Sequence, residues 1–192
     1  MNEVTGKLRI SVNEEAYRYY VVHSSTEGST ETYLSRMSAE NMKQARLLAQ
    51  KTYLEKVSRL AEKRLKQIEN KAMESKYISQ IMLIGQDKSS TGAIIVINSE
   101  NIKEYFEKHK INYDNSNDLC NSSEVNKLIK SDLKRLINSK NGFRPYEIIS
   151  KIIITDKEFS IENGLLTQSL KMKRFNIMQK YEEEIEKLYQ KN

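Results

Sequence analysis

The residues best suited to chemistry cluster late in the chain, in residues 159–174, which read FSIENGLLTQSLKMKR. A turn at Gly164 is followed by a hydroxyl at Thr167 and by three cations, Lys171, Lys173 and Arg174, that lead into a helical pattern. By residue type alone this is a glycine turn, a short apolar patch and a solvated charge run. The other groups with reactive side chains are sparse. The single cysteine, Cys120, cannot form an intrachain disulfide, and the two histidines, His23 and His109, are too few for a zinc site of usual spacing. No metal site is therefore expected, and Cys120 reads as a free thiol without a role.

The elements that position the late cluster follow from periodicity. Residues 77–84 (YISQIMLI) form a buried-type strand, residues 85–92 a loop bracketed by glycines, and residues 93–97 a second strand. Ser99 is placed to cap a helix running to about Lys110, with Ile102, Tyr105 and Phe106 inward. A polar, Asn-rich loop over 112–123 precedes a helix over 124–139, whose Val125, Leu128, Ile129, Leu133 and Leu136 share a face. Asn141-Gly142 forms a turn, residues 147–154 (EIISKIII) a third strand, and residues 174–189 a last helix. The sum is α+β, a small sheet covered by helices.

Upstream, residues 7–12 and 17–22 alternate as strands around a turn at Asn13-Glu14-Glu15, and Thr32–Leu34 reads as a third. Ser38 then caps a helix that meets no Gly or Pro until about Lys71, roughly 45–50 Å long at 1.5 Å per residue. Leu54, Val57, Ala61, Leu65 and Ile68 line one face of it, with lysines and arginines between them. Such a stripe needs a covering partner, and self-association through the long helix is one way to supply it.

The late segment resembles the last core motif of adenylate-forming enzymes, T-x-x-G-K-x-x-R, with Thr167, Lys171 and Arg174 in register and Leu170 where most of the superfamily has Gly. The long-chain fatty acyl branch typically has Leu there. Glu162-Asn163-Gly164-Leu165-Leu166-Thr167 and residues 181–189 (YEEEIEKLY) also resemble that branch, particularly its acyl–acyl-carrier-protein synthetases. Residues 75–98, Arg144-Pro145 and Ile68-Glu69-Asn70 resemble the same domain further upstream, so the likeness covers about 68–192. It implies the C-terminal domain of a long-chain fatty acyl ligase of the AMP-binding superfamily. Such enzymes join a fatty acid to AMP and pass the acyl group to coenzyme A or an acyl carrier protein. The resemblance gives Lys171 the adenylation role, with Gly164, Thr167 and Arg174 as the supporting motif. A desolvated ammonium can orient the attacking carboxylate and offset charge on the α-phosphoryl group.

The family's large ATP-binding domain, with its phosphate loop, has no counterpart in the sequence, and its Gly-Glu hinge is replaced by residues 59–67 of the long helix. The expectation is two domains: 1–67, a β segment plus a long basic helix of unknown role, and 68–192, the ligase domain. A fused or truncated reading frame, or a domain recruited elsewhere, would explain the change near Gln67. The chain alone is then expected to bind no cofactor and to be silent; ATP and Mg would be held by a separate N-terminal ligase domain acting as its partner.

A net charge of +6 keeps open a basic helical module that binds nucleic acid or another protein, or an anionic membrane. Glu55, Glu62 and Glu69 interrupt the cations and no nucleic-acid reader motif is present, which weighs against nucleic acid. No apolar run approaches the ~20 residues of a transmembrane helix, and MNEVTGKLRI lacks a signal-peptide core, so the expected location is the cytoplasm.

Overall fold

The computed structural model describes residues 5–13, 16–111 and 119–190, so residues 14 and 15 of the first turn and most of the Asn-rich loop lie outside the described residues. The chain divides into two compact units, Met1–Arg64 and Leu65–Asn192. In the first, β1 (Lys7–Asn13), β2 (Ala16–Ser25) and β3 (Gly28–Leu34) form an antiparallel sheet in that order. Its register sets Leu8 opposite Val21 and Tyr19 opposite Leu34, which gathers these apolar side chains on one face. The long helix α1 (Ala39–Ala72) begins as expected, with Ser38 Oγ accepting the Asn41 amide at 3.2 Å. Ala45 and Leu48 seat its first turns against Val21 and Leu34.

The boundary between the units falls within α1, and its last turns serve the second unit. There β4 (Ile78–Ile84) pairs antiparallel with β5 (Gly92–Ile97), which pairs in parallel with β6 (Lys151–Thr155). The central strand β5 is buried at every residue, as befits a strand covered on both faces. On one face Ile81, Leu83, Ala93 and Ile95 meet Ile68 and Ala72 of α1, together with α2 (Ser99–Lys108) and α3 (Ser123–Leu136). On the other, Met82, Ile94 and Val96 meet Phe159, Leu165 and Leu166 and the helices α4 (Arg174–Lys180) and α5 (Glu182–Gln190). The α+β class and the small sheet layered with helices are as the sequence predicts.

Four local expectations are corrected. The cap of α2 is Asn98, whose Oδ1 accepts the Asn101 amide at 3.1 Å, because the chain is still extended at Asn98 and already helical at Ser99. Helix α3 stops at Leu136 rather than 139, where the Asn138 side-chain amide donates to the carbonyls of Lys134 and Arg135 and satisfies the open C-terminal turn. The third strand starts at Lys151 rather than 147. Pro145 opens a single 3-10 turn to Glu147, whose buried carboxylate accepts the Arg144 amide at 2.7 Å. The last helix is two, α4 and α5, meeting at Tyr181, whose ring is buried edge-on against Phe159 with centroids 6.4 Å apart.

Candidate functional site

The sequence from Leu165 to Lys173 folds into a tight hairpin on the second face of the sheet. Leu165 and Leu166 are buried in that core, an anchorage of about 1.5–3 kcal/mol each by area. Leu166 and Met172 form an antiparallel bridge, and the Lys173 amide donates to the Leu165 carbonyl at 2.8 Å. The hairpin closes at Thr167 and Lys171: the Thr167 amide donates to the Lys171 carbonyl at 2.8 Å, and the Lys171 amide donates back to Thr167 Oγ1 at 3.0 Å. Three residues, Gln168, Ser169 and Leu170, make the loop, with the Leu170 amide donating to the Thr167 carbonyl at 2.9 Å. Leu170 is left-handed, at φ 58°. A hairpin with a three-residue loop requires that conformation at its last loop position, and it is the reason glycine is at home there.

Lys171 therefore leaves the rigid foot of a braced hairpin. Its side chain is exposed and, among the described residues, makes no ion pair or hydrogen bond. The ammonium is not buried in the apolar interior, so it is available to an anion brought to it. Thr167 holds the backbone at that point and has Ser169 Oγ 3.0 Å from its own hydroxyl. Arg174 turns the other way: Nη1 donates to Glu69 Oε1 at 3.2 Å and Nη2 donates to the Leu83 carbonyl. The same Glu69 oxygen accepts the Leu83 amide at 3.2 Å. One carboxylate and one guanidinium thus tie the end of α1, the edge of β4 and the start of α4 together. Arg174 thereby holds the start of α4 to β4.

Gly164 sits in a second left-handed turn, at φ 74°, with open space where a Cβ would point. The turn is organised by Asn163, which the sequence marks only as a member of the family-like stretch from Glu162 to Thr167. Its Oδ1 accepts the amides of Ser160 and Leu165, and its Nδ2 donates to the Glu158 carbonyl at 2.7 Å. Gln80 fixes the entry to this loop by exchanging two hydrogen bonds with the backbone of Phe159, at 2.6 and 3.0 Å. The Ser160 hydroxyl also holds the Glu162 carboxyl below the usual carboxylate range. No residue spacing marks Gln80 as the partner of this loop, or Glu69 as the partner of Arg174, since each contact joins residues far apart in sequence.

The remaining candidates lie elsewhere. Cys120 is half-buried beside a cavity of about 420 Å³ lined also by Thr155, Lys157, Lys180 and Tyr181. Burial, and then the nearby Asp156 charge, push its thiol up, away from the reactive thiolate. His109 stacks on Tyr105 at 4.0 Å between centroids. Among the described residues no group of three or more His, Cys, Asp or Glu is arranged to hold a metal ion, and no helix is long and apolar enough to cross a membrane.

No family model matches the chain. Among curated proteins, a probable acyl-activating enzyme 16 (chloroplastic) of Arabidopsis thaliana is 35% identical over 130 residues, which covers 64% of this chain and 16% of that protein. A long-chain-fatty-acid–[acyl-carrier-protein] ligase of the same plant is 34% identical over 123 residues, 64% of this chain and 15% of its own. Fatty acyl-CoA synthetase B of Dictyostelium discoideum is 33% identical, over 66% of this chain and 19% of its own. The chain thus spans less than a fifth of the length of these relatives. Among solved structures, the A-PCP didomain of a carboxylic acid reductase from Segniliparus rugosus, in complex with AMP, superposes with a TM-score of 0.53 at 18% identity, over 92% of this chain and 21% of that one. The adenylation domain of a Mycobacterium chelonae carboxylate reductase superposes with a TM-score of 0.51. Over about two-thirds of its length, the chain is similar to long-chain fatty acyl-CoA and acyl-carrier-protein ligases, and its fold is one found within adenylation-domain structures.

Proposed function

We propose that residues 68–192 act as the C-terminal, mobile domain of a long-chain fatty acid ligase of the AMP-forming type, and that Lys171 is the adenylation lysine. The single observation that carries the reading is the hairpin. It holds Lys171 at a fixed backbone position with its ammonium in solvent, in the motif register that the ligase family uses. Thr167 braces that position and Arg174 locks the hairpin's exit to the sheet.

In this reading ATP, Mg and the fatty acid are held by an ATP-binding domain, joined in a longer polypeptide or supplied as a separate chain. This chain's own contribution is then electrostatic. The Lys171 ammonium orients the fatty acid carboxylate and offsets the negative charge that grows on the α-phosphoryl oxygens as the carboxylate attacks and pyrophosphate leaves. An ammonium suits this because it is a compact point charge. Withdrawn from the ATP-binding domain, the group has no phosphate to stabilise, so residues 1–192 alone activate no fatty acid. The acceptor of the acyl group is the thiol of coenzyme A or of an acyl carrier protein. Work proceeds in the cytoplasm.

The test mixes the chain with a long-chain ligase truncated before its own C-terminal domain and measures fatty-acid-dependent exchange of pyrophosphate into ATP. Restored exchange supports the reading. No restoration at saturating chain, with the truncated ligase still able to bind ATP, counts against it.

A further inference from the structure

The two edges of the second unit's sheet differ. At the β4 edge the Leu83 amide donates to Glu69 and the Leu83 carbonyl accepts from Arg174. The opposite edge is β6, which pairs with β5 alone. Just before β6, the Ser150 amide donates to the Thr91 carbonyl at 3.0 Å. Alternation along the strand then turns Ile152 and Ile154 toward β5, and turns the amides and carbonyls of Lys151, Ile153 and Thr155 outward. Among the described residues nothing bonds to those outward backbone groups. The usual protections of an open edge are also missing: β6 has no proline, and its register with β5 has no bulge. Its one charged residue, Lys151, donates to the Leu188 carbonyl at 2.9 Å. Ile153 and Ile154 stay partly exposed.

A groove runs along this edge. Ile152, Ile153, Ile154 and Thr155 line the cavity of about 420 Å³ beside Cys120. Asn121 and Asn126 wall it on the α3 side of the sheet, and Lys180, Tyr181 and Glu184 on the side of α4 and α5. A strand fills about 160 Å³ per residue, from a rise near 3.3 Å, a spacing near 4.8 Å and a depth near 10 Å. The cavity therefore accepts roughly two to three residues of an added strand. A row of alternating amides and carbonyls is complemented by another extended backbone. An anion would satisfy the amides and face the carbonyls unfavourably. A second copy of β6 would bring its own helical layers, and the side chains that project past this edge on both faces would collide with them. A lone extended segment brings no such layers. The walls make it a polar one: the side chains of Asn121 and Asn126 make no hydrogen bond among the described residues, and both signs of charge are present at Lys157, Lys180 and Glu184.

We propose that β6 receives an extended, polar segment of another protein as a fourth strand of this sheet. The segment bonds to the backbone of Lys151, Ile153 and Thr155, with Asn121 and Asn126 along one face and Lys180 and Glu184 along the other. This stands on the β6 edge and does not rest on the role given to Lys171.

The probe is a phage-displayed library of random peptides, selected on the full chain and in parallel on Ile153→Pro. Proline at an outward-facing edge position leaves the β5 ladder intact and removes the donor that an added strand needs. Enrichment on the parent should exceed that on Ile153→Pro by about tenfold or more. The leading peptide, synthesised and added at saturation, should slow exchange of the Ile153 and Thr155 amides by about tenfold, with Ile152 and Ile154 unchanged because β5 already holds them. The pair Asn121→Ala with Asn126→Ala leaves the strand untouched and should weaken that peptide by about tenfold. Retained protection of Ile152 and Ile154 will show that Ile153→Pro folds, and the asparagine pair decides if it does not. No enrichment on the parent overturns the proposal, as does equal enrichment on a folded Ile153→Pro. So does a peptide that binds without slowing Ile153 exchange. A dimer in light scattering that Ile153→Pro abolishes also overturns it, because the edge would then belong to a second copy.

Discussion

Arg174 and Glu69 meet at 3.2 Å although 105 residues separate them, and both also bind the same residue of β4, the guanidinium through the Leu83 carbonyl and the carboxylate through the Leu83 amide. The edge strand of the sheet is thereby closed by a side-chain pair rather than by another strand. Because Arg174 also begins α4, the pair fixes where the Lys171 hairpin ends.

Breaking that pair should loosen the second unit. The Arg174 side chain is half-exposed, so the pair's Coulombic worth is modest, but each partner also satisfies a backbone group. Arg174→Ala should cost about 1–3 kcal/mol in urea denaturation, and Glu69→Ala a similar amount. The double variant should cost less than the sum of the two by about 1 kcal/mol. Additive losses would show that the two residues act separately.

Leu170 holds a left-handed conformation that an L-residue with a Cβ adopts at a cost of about 1–2 kcal/mol, while its side chain is mostly exposed and contributes little packing. Leu170→Gly should therefore raise stability by roughly 0.5–1 kcal/mol after the extra unfolded-state entropy of glycine. Leu170→Val, whose β-branch tolerates the conformation worse, should lower it by about 1 kcal/mol. Equilibrium unfolding of the three proteins checks the order.

Thr167 acts on Lys171 through the backbone. Thr167→Val keeps the shape but removes the acceptor of the Lys171 amide, which should cost about 1 kcal/mol and speed exchange of that amide, whereas Thr167→Ser should restore both. Hydrogen exchange at Lys171, followed by NMR, separates this from a general loss of stability.

Burial raises the phenol pKa of Tyr181 and of Tyr189 in the folded chain. A pKa raised on folding contributes stability that is complete below the unfolded value, near pH 10 for tyrosine, and is lost as pH rises through the folded value. Melting temperature should accordingly be flat from pH 7 to about 9 on this account and fall above about 10. Tyr181→Phe, which cannot ionise, should show a shallower fall. An equal fall in both proteins would place the alkaline loss elsewhere.

Much of the second unit was legible because its signals are local. The aliphatic runs of β4 and β5 and the spacing of Val125, Ile129 and Leu133 state their elements directly. The motif register of Thr167, Lys171 and Arg174 was legible as a resemblance, but its mechanics were not. The left-handed turn at Leu170 has no glycine to announce it, and Glu69 sits unremarkably in a basic helix. The sequence places the start of β6 too early because Ile148 and Ile149 run on into the aliphatic residues of the strand, and only the Glu147–Arg144 amide contact shows that the chain turns there first. The break at Tyr181 is set by the seat its ring takes beside Phe159, a tertiary contact without a sequence period.

The central claim is that one ammonium, at Lys171, does the work this domain brings to fatty acid activation. The most direct measurement joins the chain covalently to the ATP-binding domain of a long-chain ligase in place of that enzyme's own C-terminal domain, so that docking affinity cannot limit the rate, and compares the acyl-adenylate formation rates of Lys171→Ala and Lys173→Ala. The account predicts a loss of about 10²–10³-fold for Lys171→Ala, of the size expected for one preorganised transition-state group, with Lys173→Ala within a few-fold of the parent. Equal rates for the two variants would contradict it.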